Sequence, residues 1–393
     1  MSDKVRWKRA LKQAAAVGLI LCLAVCLLVG GFVLVNHNHM GRLFTIVSYI
    51  ETQYLEKPTA EQLVDGAING MVSSLDKYSS FQNAEENKTL MSSIKGEFGG
   101  IGVYLSTADP EELVVTRPIK DSPAEKAGVE AGDVIVKIDD TDVASISQDE
   151  AVAILRGDSG TKVTVKLYRS KTNEEYSVIL TREIISVPTV EGTTLPGYPD
   201  IALIDISSFS MQTGDELEQT LKNLNMDNYK GVIIDLRYNC GGEVNAAIKT
   251  ASLLVPEGAI VHIVDKNGKV DTKESTAQFM NKPFVMLINE YSASASEIVA
   301  GAVKDYGSGT IVGTTSFGKG VVQTVFPLDD YTSVKLTTNK YLTPLKKDIN
   351  KKGIEPDVVV ELKEGEKPTI MPSSQEFDSQ LQKALDVLNA KIK

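Results

Sequence analysis

Three short apolar runs, Ile201–Ile206, Gly231–Leu236 and Pro283–Ile288, constrain this chain more than any other feature. Stretches with helical spacing, Thr213–Leu224 and Val244–Leu254 among them, fall between the runs. Strand–helix alternation of this kind predicts a layered sheet with helices packed on it, an α/β body beginning near Ile184. Thr332–Thr338 adds a late alternating strand, and Gly353-Ile354-Glu355-Pro356-Asp357 marks a turn before Val358-Val359-Val360. Phe377, Leu381, Leu385, Leu388 and Ile392 share one helix face in the tail. Such a helix packs on the body or on a second copy.

At 393 residues the chain has room for two or three domains. Its 42% hydrophobic and 24% charged content suits a sizeable core. Net charge is −11, yet residues 1–12 hold five basic side chains (Lys4, Arg6, Lys8, Arg9, Lys12) against Asp3. The folded part is therefore acidic and shows no basic stripe, which argues against nucleic acid as a partner. Ala14–Val35 is 22 residues without a charge, long enough to cross a bilayer as one helix. The basic flank puts the N-terminus in the cytoplasm. A cleaved signal peptide competes, but Val33-Leu34-Val35-Asn36-His37 offers no small-x-small cleavage site, and no lipoprotein-type small residue precedes Cys22 or Cys26. The expectation is an uncleaved single-pass anchor at the cell membrane, with the rest of the chain extracytoplasmic. Cys22 and Cys26 lie in that span and Cys240 stands apart, so no disulfide framework is expected.

Residues 41–95 are helical in pattern. Thr59-Ala60-Glu61-Gln62 has capping-box spacing ahead of Leu63, Ala67, Met71 and Leu75. The segment reads as a small helical module or a pairing surface. From Phe98 to Glu183 the character changes. Gly99-Gly100-Ile101-Gly102-Val103 runs from a glycine-rich turn into a strand, and Ser122–Val129, Gly132–Ile138, Leu155-Arg156-Gly157 and Lys162–Leu167 follow. As an ordered set these resemble a PDZ domain of the bacterial protease-associated kind. Consecutive N–H groups in such a turn can hold a peptide's terminal carboxylate while the adjoining strand pairs with its backbone.

The candidate chemistry starts at Asn289-Glu290-Tyr291-Ser292-Ala293-Ser294-Ala295-Ser296-Glu297-Ile298, where a strand meets an Ala- and Val-rich helix. A serine there sits beside free N–H groups that favour negative charge, a suitable place for a nucleophile. The same residues also suit an ordinary helix cap. Only His37, His39 and His262 are present, and His262 falls in the strand-like Ala259–Val264, so a Ser-His-Asp triad is poorly supplied. His37 and His39 lack further ligands nearby, and no metal or other cofactor is expected. Lys319, in Thr315-Ser316-Phe317-Gly318-Lys319-Gly320-Val321-Val322-Gln323, is the available base. Its ordinary pKa of about 10.4 would have to fall, and burial lowers it. Gln323 could orient the amine without charging it. The plainer reading is a lysine on a glycine-rich hairpin. Gly313–Lys319 has P-loop spacing, but Gly320 stands where a Ser or Thr is needed and the following run reads as strand, so a nucleotide site is not indicated.

The PDZ segment, Asp235-Leu236-Arg237-Tyr238-Asn239-Cys240-Gly241-Gly242, Ser292–Glu297 and Gly318-Lys319-Gly320 with Gln323 together resemble the carboxy-terminal processing proteases, the tail-specific Ser/Lys peptidase family. The resemblance spans roughly residues 41–365 and implies a multidomain α/β protein with a ClpP/crotonase-like protease core. It implies Ser294 as nucleophile, Lys319 as base, Gln323 as its orienter, and an oxyanion hole from the N–H of Ala295 and of Gly241 or Gly242. It also implies peptide capture at Gly99, Gly100, Ile101, Gly102 and Val103, and coupling of the PDZ domain to activity through Arg156. Cys240 replaces a usual proline, and Lys77-Tyr78-Ser79 a more typical Pro-containing stretch. The expected layout is residues 1–13 cytoplasmic, 14–36 membrane anchor, 41–96 helical region, 97–183 PDZ domain, 184–365 protease core and 366–393 helical tail. Expected partners are proteins with accessible C-terminal tails, the membrane, and a second copy of the chain. The alternative is a catalytically idle PDZ adaptor on the same fold.

Overall fold

The computed structural model describes residue 23 and residues 37–106, 112–275 and 280–392. The chain divides into two compact units after Leu75. The first contains helices His37–Gln53 and Ala60–Ser73. The expected capping box opens the latter: the Gln62 N–H donates to Thr59 Oγ1 at 3.1 Å and the Thr59 N–H to Gln62 Oε1 at 2.9 Å. The uncharged segment 14–36, Leu23 apart, lies outside the described residues. Among those described, no helix is long and apolar enough to cross a membrane.

In the second unit, strands Val103–Leu105, Leu113–Pro118, Asp133–Ile138, Lys162–Arg169 and Glu174–Thr181 pair antiparallel in that order, leaving Val103–Leu105 at an edge. Alternation along Lys162–Arg169 turns Val163, Val165 and Leu167 inward, where they pack with Ala151 and Leu155 of helix Gln148–Leu155.

The body is built on β1 (Val190–Leu195), β2 (Tyr198–Ile206), β3 (Gly231–Asp235), β4 (Phe284–Ile288), β5 (Thr310–Gly313) and β6 (Val358–Val359), adjacent in chain order. Only the β1–β2 pair is antiparallel. Helices Thr213–Leu224, Val244–Ser252 and Ala295–Tyr306 lie between successive strands from β2 to β5. Side chains alternate across each strand, so Ala202, Ile204 and Ile206 join a core with residues of these three helices. Ile201 and Leu203 face the other way onto Leu381, Leu385 and Leu388 of the C-terminal helix Ser379–Ile392. Burial on both faces explains why the strand sequences read as nearly continuous apolar runs. It also decides the position of the tail helix, which packs on the body. A second sheet joins Ser80–Gln82, Ser333–Leu342, Gly258–Asp265 and Val270–Ser275, with Val321–Pro327 paired to Ser333–Leu342.

Candidate active site

At the C-terminal ends of β3 and β4, two turns are tied together by hydrogen bonds. Beyond β4, Ser292 Oγ donates to Leu236 O at 2.8 Å and the Ala293 N–H to Asn239 O at 3.1 Å. Ser296 Oγ donates to Asn239 O at 2.8 Å, and the Tyr238 N–H to Asn289 Oδ1 at 3.0 Å. Ser292 and Ser296 are buried with their hydroxyls committed to these carbonyls, whereas Ser294 is only half-buried. That difference singles out Ser294 from its neighbours. Ser294 caps helix Ala295–Tyr306 with φ 56° and ψ −112°, a conformation that non-glycine residues rarely hold without support.

Much of the support comes from Glu297. Its carboxylate is buried and accepts the N–H of Ser294 at 2.8 Å and of Lys319 at 2.8 Å through one oxygen. The other oxygen accepts Ser316 Oγ at 2.6 Å and the Gly318 N–H at 2.7 Å. Tyr341 Oη lies 3.0 Å from Ser294 O and 2.6 Å from Lys319 O. One carboxylate and one phenol thus hold the serine turn against the lysine loop. Neither residue is among the sequence-based candidates. The Ser294-x-x-Glu297 spacing of a capping box was a visible signal for the first; Tyr341 had none.

The Lys319 side chain is half-buried. Burial pushes its ammonium below the ordinary lysine range, the Lys335 charge pushes the same way, and Glu297 and Cys240 oppose. Its Nζ lies 5.0 Å from the centre of the Tyr78 ring. No hydrogen bond joins Ser294 Oγ to Lys319 Nζ among the described residues. Gln323, on Val321–Pro327, donates instead to Thr337 Oγ1 at 3.2 Å. The fold therefore brings the backbones of Ser294 and Lys319 together without placing the Gln323 amide on the lysine.

Gly241, with φ 97°, packs so closely that a Cβ there would fall 2.8 Å from Ser294 Cβ and 2.9 Å from Ala295 N. Its N–H is donated to Asn239 Oδ1 at 2.8 Å. The N–H groups of Ala295 and Gly242 carry no protein hydrogen bond among the described residues. Beneath the turn, buried Arg237 donates to Asp235 and to Asp378, the latter at 2.9 Å, fastening the start of the C-terminal helix to β3. His262 is buried in its strand, with Nδ1 2.8 Å from Thr272 Oγ1 and Nε2 3.1 Å from Pro344 O. Among the described residues no cluster of His, Cys, Asp and Glu could hold a metal ion.

A cavity of about 310 Å³ opens along the edge strand Val103–Leu105. Gly99, Gly100, Ile101, Gly102 and Val103 all line it. Arg156 lines it too, with its guanidinium 4.7 Å from the centre of the Phe98 ring.

A cavity along the edge of one sheet and a serine–lysine turn on another fit one class, the PDZ-bearing serine peptidases. Residues 200–360 match the family model for Peptidase family S41, 114–169 that for a PDZ domain, and 34–86 that for the "Activating protease CtpB N-terminal domain". The chain is 38% identical over 334 residues to a carboxy-terminal-processing protease of Bartonella bacilliformis, covering 83% of this chain and 76% of that one. It is 38% identical over 355 residues to the carboxy-terminal processing protease CtpA of Bacillus subtilis, covering 88% and 75%. A putative S41 protease from Bacteroides fragilis shares the fold, with TM-score 0.54 and 15% identity over 88% of this chain and 96% of that one. This chain belongs to peptidase family S41 and is a carboxy-terminal processing serine protease.

Proposed function

We propose that the protein is a membrane-anchored endopeptidase that captures a substrate's C-terminal tail in its PDZ groove and cleaves upstream of it with Ser294 and Lys319. The observation that carries this reading is the buried Glu297 carboxylate, which binds the N–H groups of Ser294 and Lys319 together. Burial favours the neutral amine of Lys319, the form that can accept a proton. Ser294 Oγ bonds to the scissile carbonyl carbon as its proton passes to Lys319 Nζ. The oxyanion is received by the Ala295 N–H at the helix N-terminus, where a free donor favours developing negative charge. Gly242 is the glycine whose N–H has no protein partner among the described residues and can join it, since Gly241 donates to Asn239. The C–N bond then breaks and Lys319 returns its proton to the leaving amine. Water attacks the acyl-enzyme, again losing a proton to Lys319, which reprotonates Ser294 as the acid is released. The amine must swing from Tyr78 to reach the serine, and Gln323 takes up its orienting role when its amide leaves Thr337.

Tail capture is supported by the position of the Gly99–Val103 turn in the groove. The test uses the detergent-solubilised full chain and a reporter peptide with a free or amidated C-terminus. Wild type should cleave the free-ended peptide faster, and Ser294→Ala and Lys319→Ala should not cleave it. Equal rates for both ends would remove tail reading, and cleavage by Ser294→Ala would remove the nucleophile. The uncharged run Ala14–Val35 behind a basic flank supports anchoring with the body outside the cytoplasm. Release of the protein from membranes by alkaline carbonate would count against it. Exposed Leu43, Phe44, Ile46 and Val47 on the first helix support pairing with a second copy, which sedimentation over a concentration series would test.

A further inference from the structure

Two lysines besides Lys319, Lys77 and Lys335, stand near the proposed cleavage site. Lys77 Nζ lies 5.0 Å from the centre of the Tyr78 ring, the same ring that Lys319 Nζ faces at 5.0 Å. It is also 5.1 Å from the centre of the Phe317 ring. Lys335, on strand Ser333–Leu342, pairs across the sheet with Ser80, three residues after Lys77, and its charge acts on Lys319. None of these lysines has an ion-pair partner among the described residues, although the chain carries −11 overall. Two nearby carboxylates, Asp76 and Glu297, direct their oxygens to other hydrogen-bond donors than these ammonium groups. Asp76 accepts the N–H groups of Tyr78 and Ser79 and the Ser79 hydroxyl. Glu297 is buried under four donors.

The location matters as much as the charge. The Phe317 N–H donates to Ser292 O at 3.0 Å, so the half-exposed Phe317 ring stands next to the serine turn. Lys77 is exposed above that ring. An extended peptide rises about 3.3 Å per residue, so Lys77 is within a few residues' reach of a scissile carbonyl held at Ser294. A cation held on aromatic rings and without an ion-pair partner among the described residues gains from an incoming carboxylate.

We propose that Lys77, backed by Lys335, is a specificity-determining residue that selects substrates carrying Asp or Glu within a few residues of the scissile bond. The inference rests on the Ser294–Lys319 reading of the site and adds a chemical preference to it. The contact is made in the ground state and the transition state alike, so it acts on KM more than on kcat.

The test is a set of peptides with one fixed C-terminal tail, differing only by Glu, Gln or Lys at each of three positions on either side of the cut. The full chain should cleave a Glu peptide roughly two- to fivefold better than its Gln partner at one position or more, the range of an exposed ion pair. That ratio should shrink in high salt. It should fall to about one in Lys77→Ala and below one in Lys77→Glu, each ratio taken within one variant so that changes in overall rate cancel. Binding of the same peptides to Ser294→Ala gives an independent reading. A Glu preference in binding without cleavage by wild type would uphold the rim and sink the catalytic assignment. Cleavage with no Glu preference at any position, or a preference that Lys77→Glu retains, overturns the inference and leaves the catalytic assignment standing.

Discussion

Replacing Glu297 with glutamine tests whether a single carboxylate assembles the site. Each oxygen accepts two donors, Ser294 and Lys319 N–H on one side and Ser316 Oγ and Gly318 N–H on the other. Glutamine keeps one acceptor oxygen and turns N–H groups onto the remaining pair. Hydrogen bonds to a charged group contribute about 1.5–3 kcal/mol each, so losing two costs ~3–6 kcal/mol if nothing relaxes. Total stabilities are only about 5–15 kcal/mol. Relaxation is the easier course, with the Gly318–Lys319 loop lifting away from the serine turn. A displacement of about 1 Å in a catalytic group costs on the order of 10²-fold in rate. The expected result is a fall in kcat of about that size with peptide binding to the PDZ groove unchanged. A second readout separates this from simple loosening. The Glu297 charge raises the Lys319 pKa against the larger lowering by burial. Removing that charge should move the acid limb of the kcat/KM profile to lower pH. A Glu297→Gln enzyme with wild-type kcat and an unmoved acid limb would refute the reasoning.

Other perturbations test neighbouring parts. Activity of the wild type should rise with pH through a limb below the ordinary lysine range, because burial favours the unprotonated Lys319; a limb at the ordinary lysine value would argue against it as base. Gly241→Ala places a methyl 2.8 Å from Ser294 Cβ at a φ of 97°, and should abolish cleavage while peptide binding in the groove persists. Asp205 is pushed up to about 7 by burial, then by the charges of Asp235 and Glu191. Because its folded value is raised, its stabilising contribution is complete below the unfolded carboxylate range near 4 and is lost as pH rises through about 7. Asp205→Asn should therefore raise Tm more at pH 8 than at pH 4, and an equal change at both would contradict the assignment. Asp378→Ala leaves buried Arg237 short of a partner and should cost about 3–5 kcal/mol by denaturant titration; an unchanged midpoint would show that Asp235 suffices.

What the sequence disclosed and what it withheld differ in range along the chain. The alternation of β2, β3 and β4 with helices was legible because each element is local, and its apolar residues announce burial on both faces. Thr59 and Gln62 were legible for the same reason, lying within one helical turn. The engagement of Ser292 and Ser296 was not, since their acceptors, Leu236 and Asn239, come from a strand end more than fifty residues earlier. The residues by themselves name a serine-rich turn without saying which hydroxyl is left available; only the family resemblance pointed to Ser294. Glu297 shows the same limit from the other side. Its spacing from Ser294 suggests a helix cap, and it does receive the Ser294 N–H as a cap partner would. Its second use, on Ser316, Gly318 and Lys319, depends on β5 lying next to β4, which no local pattern specifies. Gln323 marks the reverse case. Four positions after Lys319 in one chain segment it looks close, but the register shift between Val322 and Gln323 accompanies an amide directed at Thr337. Backbone placement of the serine and lysine is thus built into the sheet and its carboxylate, while the proposed mechanism asks for new side-chain contacts from Lys319 and Gln323, which rotamer changes would have to supply. Such changes are far cheaper than moving a strand, so a site can be fixed in its scaffold and still await its substrate.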